Sequence, residues 1–239
     1  MFFLSSRCAL KIVGKNTIQF LSGLLTADLR SLTEGGFLFS ALLNSKGRFL
    51  YDFFLHHKNG EIFIDINKNQ ADGFKKAILQ YDLLDDFKIE DTRLQVFASE
   101  DFLLNWKGGK FEGRFLLEEG KGKSEEEYNL ERIKLCLPDG ALELKQEKSI
   151  ILEYGYEEAG AVSFDKGCYI GQELITRTKR VGEVRKALYC VVQGINPKLQ
   201  ETLSSFKEYS LVLGYKQDFE GKSEIVFEGK IYPIISSSL

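Results

Sequence analysis

The chain reads as an α+β protein, and three observations predict it. Strand-like stretches follow one another through tight turns between Phe37 and Ile66. Helical periodicity returns at irregular intervals instead of after every strand. The tail beyond Lys186 alternates apolar and polar residues, as in a small antiparallel β unit. Strands that meet through hairpins, with helices set apart, predict antiparallel sheets and not a doubly wound parallel one.

Taken in order, 8–13 reads as a strand. Asn16 is a candidate N-cap for a helix over 17–25, with Ile18, Leu21, Leu24 and Leu25 on one face. Strands follow at 37–43 and 48–57, joined at Asn44-Ser45-Lys46-Gly47. Asn59-Gly60 signals a tight hairpin into a strand at 61–66, because both residue types tolerate the positive φ that such a turn requires. A helix is expected over 70–83, carrying Phe74, Ala77, Ile78 and Tyr81, then strands at 87–90 and 94–98. The stretch 108–123 is rich in Gly, Lys and Glu and reads as a loop-rich hairpin or a weak boundary. A helix over 125–135 has acids in its first turn, which suits the macrodipole, and Pro138-Asp139-Gly140 breaks it. Strand patterns at 188–192, 211–215 and 224–227 complete the chain.

The 239 residues suffice for one large domain or two modest ones. With 44% hydrophobic and 28% charged residues the composition is that of a soluble globular protein. A net charge of −3 gives no sign of nucleic-acid binding. Nineteen Phe and ten Tyr favour strands and flat apolar pockets. No apolar run approaches the roughly 20 residues of a membrane span. Met1-Phe2-Phe3-Leu4 is too short for a signal-peptide core. The four cysteines, Cys8, Cys136, Cys168 and Cys190, include no Cys-x-x-Cys pair, which argues against a zinc site or a dithiol motif. The expectation is a cytoplasmic protein in a reducing compartment, with neither membrane nor nucleic acid as partner.

The most informative stretch is Lys166-Gly167-Cys168-Tyr169-Ile170-Gly171-Gln172-Glu173. It sets a thiol between two glycines, beside a lysine, ahead of a helical segment. A helix N-terminus and a lysine both favour thiolate over thiol, and glycines let a ligand approach the main chain. Cys168 is therefore a candidate reactive or metal-binding residue, against the alternative of a small buried hydrophobe.

The octapeptide resembles the signature of the YgfZ family, folate-binding proteins of iron–sulfur cluster assembly or maintenance related to the aminomethyltransferase (T-protein) of the glycine cleavage system. Arg177, Arg180, Gly182 and Val184 extend the resemblance, as do 20–29 and 41–53. It implies ferredoxin-like halves forming a folate-type pocket in a domain over 1–185, then a small antiparallel β-barrel-like unit over 186–239. It also implies tetrahydrofolate as cofactor. Lys166, Gly167, Tyr169, Gly171, Gln172, Glu173, Arg177 and Arg180 would join Asp52 around it.

Asp52 lies in Phe49-Leu50-Tyr51-Asp52-Phe53-Phe54-Leu55, a strand apolar on both sides. Alternation puts Asp52 with Leu50 and Phe54 on one face, and Phe49, Tyr51, Phe53 and Leu55 on the other. A buried carboxylate must be hydrogen-bonded. A pterin offers the donors, and so does a nearby loop's N–H groups. The related transferases carry Asp-Asp where this chain has Tyr51-Asp52, and a pterin-contacting Glu where it has Lys134. A lysine cannot accept the pterin's donors, and its ordinary place is a solvated helix face. Glu173 and Arg177 could pair at i and i+4. Alternatively, Arg177 or Arg180 faces an anionic ligand or holds the cysteine loop.

Cys8, Cys136 and Cys190 sit in apolar patterns, so only Cys168 is expected to be available. A cluster takes about four ligands, mostly thiolates. A transient iron–sulfur cluster at Cys168 would then be shared with an A-type carrier or a client iron–sulfur protein. The alternative functions are a tetrahydrofolate-dependent C1 or aminomethyl transferase, and a binding module with an inherited pocket.

Overall fold

Two tight turns build the centre of the molecule. The structure, a computed structural model, describes residues 1–99, 113–182, 184–192, 201–227 and 230–237. In chain order the first elements are β1 (Phe2–Phe3), β2 (Arg7–Gly14), α1 (Thr17–Ser22), β3 (Phe37–Leu43), β4 (Phe49–Lys58) and β5 (Glu61–Asn67). Then come α2 (Ala71–Leu79), β6 (Phe87–Asp91), β7 (Gln95–Ala98), β8 (Arg114–Leu117), α3 (Glu125–Lys134), α4 (Gly140–Glu143) and α5 (Gln172–Arg180). The tail holds β9 (Lys186–Val192), β10 (Glu201–Phe206), β11 (Tyr209–Tyr215), α6 (Lys216–Phe219), β12 (Glu224–Phe227) and β13 (Lys230–Ser237).

The central sheet runs β3-β4-β5-β2-β6, and every pairing in it is antiparallel. Asn59 and Gly60 take φ of 55° and 73°, so the hairpin between β4 and β5 forms as expected. Leu10, Leu42, Phe53, Leu55, Ile64 and Ile66 form one face with Leu21 of α1 and Phe74 of α2. Phe39, Leu43, Phe49, Phe54 and Phe63 form the other, packed on the second half of the chain. A short sheet, β1-β7-β8, lies on that second side. The tail makes an open five-stranded antiparallel sheet, β10-β11-β9-β13-β12. Among the described residues its edge strands do not pair, so the barrel-like unit expected there is not closed. Leu188, Cys190, Leu211 and Leu213 point from this sheet into the main core.

Several elements depart from expectation for physical reasons. The helix over 17–25 stops at Ser22, and Asn16 sits at φ 58° with no side-chain cap bond. Leu25 bridges to Leu42, and the Thr26 N–H donates to Ala41 O, so strand pairing takes the last turn from the helix. The second helix ends at Leu79, leaving Leu83 and Leu84 90% and 80% exposed. A bulge opposite Leu42/Leu43 shifts the register of β4. It moves Phe49 onto the face of Asp52 and turns Leu50 to the other, the reverse of simple alternation. A short helix, α4, begins at Gly140, capped by the Asp139 side chain, which accepts from Ala141 N at 3.0 Å. Of the stretch 108–123, residues 108–112 lie outside the described residues and the rest contains β8.

Candidate functional site

Three segments far apart in sequence meet around the cysteine loop. The first is the turn after α1. Its Thr26 hydroxyl donates to Ala161 O at 2.6 Å and accepts from Ala41 N at 3.0 Å, while Thr26 O accepts from Ser163 N at 2.9 Å. The second is the turn between β3 and β4, where Asn44 Oδ1 accepts from Lys46 N at 3.0 Å and Arg48 N at 2.9 Å. The third is the loop itself. Lys166 Nζ donates to Leu25 O and to Ala27 O, both at 2.8 Å, and lies 5.2 Å from the centroid of the Tyr169 ring. Its ammonium is thus an anchor between segments, held on carbonyls and not on the thiol. Burial pulls the Lys166 pKa down to about 8, with Asp28 partly opposing.

Gly171, at φ 80°, is the residue before α5. A Cβ there would stand 2.6 Å from Asn44 O and 2.8 Å from Gly47 Cα. The β3–β4 turn therefore packs against this glycine's backbone. A Cβ on Gly167 would meet nothing within 4 Å, so that side of the loop is open. Gly171→Ala is expected to cost about 1–3 kcal/mol, from the left-handed backbone and the crowding together. Urea unfolding of the variant measures it, and a midpoint equal to wild type would contradict the contact.

Cys168 is exposed, whereas Cys136 and Cys190 are buried and Cys8 is half-buried. Burial pushes the Cys190 thiol up to about 12 and raises that of Cys8. Tyr169 is buried beside the exposed thiol, with its pKa pushed up to about 12 by burial. Gln172 is half-buried, while Glu173, Arg177 and Arg180 are exposed along α5. Among the described residues Glu173 and Arg177 form no ion pair, and neither arginine's side chain bonds the cysteine loop.

Asp52 lies on β4, 4% exposed. Its Oδ2 accepts from Gly140 N at 3.0 Å and from the Tyr156 hydroxyl at 2.8 Å. Both donors come from the chain, the first from the start of α4 and the second from Tyr156, beyond that helix. Gly140 is required there, because a Cβ would fall 2.3 Å from Asp52 Oδ1. Burial, and next Asp139, raise the Asp52 pKa from 3.8 to about 6, against Arg7 and the two hydrogen bonds. A raised carboxylate pKa stabilises the fold fully below pH 3.8, and that contribution is lost as pH rises through about 6. Asp52→Asn keeps an acceptor and removes the charge. Its stability relative to wild type should rise by about 1–3 kcal/mol between pH 4 and pH 7. Thermal melts of both proteins across that range test this, and parallel pH profiles would contradict it.

Beside Asp52, on the same face of the central sheet, is a charge cluster that the sequence reading did not identify. Asp65 on β5, fully buried, accepts from Arg7 Nε at 2.5 Å and from Arg114 Nε at 2.7 Å. Arg7 also donates to Asp65 O at 2.8 Å, and Arg114 lies 4.2 Å over the Phe54 ring. Burial pushes the Asp65 pKa up, but Arg114 and Arg7 overcome it and hold the carboxyl well below the usual range. His56, 3.9 Å from Asp65, has its pKa lowered by burial. A second buried pair joins Arg132 and Glu143 at 2.9 Å. The available signal was the one acid in Ile62-Phe63-Ile64-Asp65-Ile66, where every neighbour is apolar. Lys134 pairs with Glu131 at 3.1 Å and lies 5.1 Å from the Tyr209 ring centroid, packed along α3.

Open hollows also lie elsewhere. One, of about 720 Å³, is lined by Lys11, Val13, Thr17, Ile18, Arg30 and His57. Another, of about 460 Å³, is lined by Val184, Arg185, Tyr215, Lys216, Gln217 and Glu220.

Comparison with known proteins gives the chain relatives by sequence and by fold. The iron–sulfur cluster assembly factor IBA57 homolog of Pyricularia oryzae, a mitochondrial protein, is 28% identical over 79% of this chain and 56% of its own length. The mitochondrial homolog of Dictyostelium discoideum is 25% identical over 80% of this chain and 62% of its own. The human mitochondrial factor is 26% identical over 80% and 65%. The chain thus spans less than two thirds of the length of these relatives. No protein-family model matches it. The glycine cleavage system aminomethyltransferase T of Bartonella henselae shares the fold, with a TM-score of 0.70 over 98% of this chain and 83% of that one, at 12% identity. The mitochondrial relatives overturn the expectation of a cytoplasmic protein. Free thiols and a net charge of −3 suit a mitochondrial protein equally well, so composition could not separate the two.

Proposed function

We propose that the chain is an accessory factor in iron–sulfur cluster assembly or maintenance, which offers Cys168 to a cluster otherwise held by a partner. One observation carries this reading: of the four cysteines only Cys168 is exposed, on a loop clamped by Lys166 and Gly171. The cluster is cargo. Because about four ligands are needed, an A-type carrier or a client iron–sulfur protein supplies the rest. The relatives' role in cluster assembly and the YgfZ-like octapeptide support the same reading.

Tetrahydrofolate binding is the finer part of the proposal and draws its support from the fold. The acceptor that a pterin would need, Asp52, is already engaged by Gly140 and Tyr156. For the same reason methylene transfer from an aminomethyl donor is not expected. Turnover abolished by Asp52→Ala would favour a transferase instead.

The test mixes the chain anaerobically with a purified A-type carrier loaded with a [2Fe–2S] cluster. The expected result is a shift in visible circular dichroism that requires both proteins. A stable, stoichiometric cluster assembled by the chain alone would refute the reading.

A further inference from the structure

The helix that follows the cysteine loop carries an outward stripe with nothing of its own to bind. Glu173, Arg177 and Arg180 stand at i, i+4 and i+7, one face of α5, and all three are exposed. Packing takes the rest of the helix: Ile175, opposite the stripe, is buried and Leu174, at its flank, meets the Gly47 backbone. Lys179 is turned to Glu157 at 2.6 Å. Neither the Arg177 nor the Arg180 guanidinium has a hydrogen bond or ion pair among the described residues. Directly after them Val181 is 81% exposed. Cations in a last turn complement the helix dipole, but that accounts for neither the exposed valine nor the failure of Glu173 to pair with Arg177.

Resting on the function proposed above, we infer that this stripe docks an acidic protein surface, that of the partner which supplies the remaining cluster ligands. An apolar side chain flanked by arginines has the composition of an interface centre. A guanidinium left unpaired on a rigid helix keeps its fork of donors for a carboxylate. Past the helix, Arg185 and Lys216 line the 460 Å³ hollow together with one acid, Glu220. Glu173 within the stripe disfavours a polyphosphate, whose charge has one sign throughout. At about 1.5 Å per residue, α5 extends roughly 13 Å from the loop. A protein lying along it would stand beside the Cys168 thiol.

The test is calorimetric titration of the chain with a purified A-type carrier at two salt concentrations. Arg177→Glu/Arg180→Glu is expected to weaken binding at least about tenfold and to flatten its salt dependence. Arg177→Gln/Arg180→Gln, which spares the helix a charge reversal, should weaken it less, with circular dichroism verifying the fold of both. A remote control of equal charge change, Lys76→Glu/Lys88→Glu, should bind as wild type. Cys168→Ser should bind normally and form no shared cluster. Wild-type binding that survives both arginine variants overturns the docking surface and leaves the cluster role standing. Failure of wild type to bind the carrier at all overturns both. A duplex DNA probe that binds wild type and loses affinity in the arginine variants, where the carrier does not, also overturns the inference.

Discussion

Asp65→Ala is expected to cost about 3–5 kcal/mol and to leave little folded protein at 37 °C. The carboxylate is fully buried and sits between the guanidiniums of Arg7 and Arg114, themselves buried. Asp65 between them is what chiefly offsets taking both charges out of water, with Asp139 3.8 Å from Arg7 adding to it. Once it is removed, two cations remain in a poorly solvated space beside Phe54. Urea unfolding followed by far-ultraviolet circular dichroism measures the loss. The triple replacement Arg7→Met/Asp65→Leu/Arg114→Met should recover much of it, since an apolar set of similar volume needs no counter-charge. The pH dependence has a definite sign. A depressed carboxylate pKa stabilises the fold above its unfolded value near 3.8, and that stability is lost as pH falls below it. Asp65 and Asp52 therefore respond oppositely to acid. A loss below about 1 kcal/mol on removing Asp65 would mean that the cluster is hydrated and contributes little.

Cys168→Ser is expected to abolish formation of the shared cluster while leaving stability within about 0.5 kcal/mol of wild type, as befits an exposed position. A hydroxyl is a poor ligand for iron at neutral pH, whereas a thiolate binds it directly. Cys190→Ala is the informative control. Its thiol is buried in the strand β9, so the change should lower the melting temperature and leave cluster sharing intact. Visible circular dichroism with the loaded carrier reads the first effect and thermal unfolding the second. Full cluster sharing by Cys168→Ser would remove the basis of the proposed function. It would favour a binding module in which the octapeptide serves only to join three segments.

Much of the fold was legible locally. Alternation located β2, β3, β4 and β5 to within a residue or two, and Asn59-Gly60 located their hairpin, because strand faces and turn backbones depend on the nearest residues. The exposure of Cys168 was legible in part: Cys136 and Cys190 are buried as their apolar patterns imply, whereas Cys8, expected in the core as well, is only half-buried. The length of α1 was not. Leu24 and Leu25 fit its apolar face, but Thr26 and Leu25 gain more by pairing with Ala41 and Leu42. Nor was the face of Phe49, which a single bulge reversed.

The sequence by itself determined the α+β class, the hairpin at the centre and the thiol with glycines on either side. Each of these is set by backbone preferences and side-chain periodicity within a few residues. Only the tertiary structure decided that Gly171 makes room for the turn at Gly47, that Lys166 holds carbonyls instead of activating sulfur, and that Asp52 meets Gly140. It also assembled Arg7, Asp65 and Arg114, drawn from three separate strands or their ends, into one buried group. Those outcomes depend on which distant segments come within hydrogen-bonding distance, and that is settled by packing the whole chain.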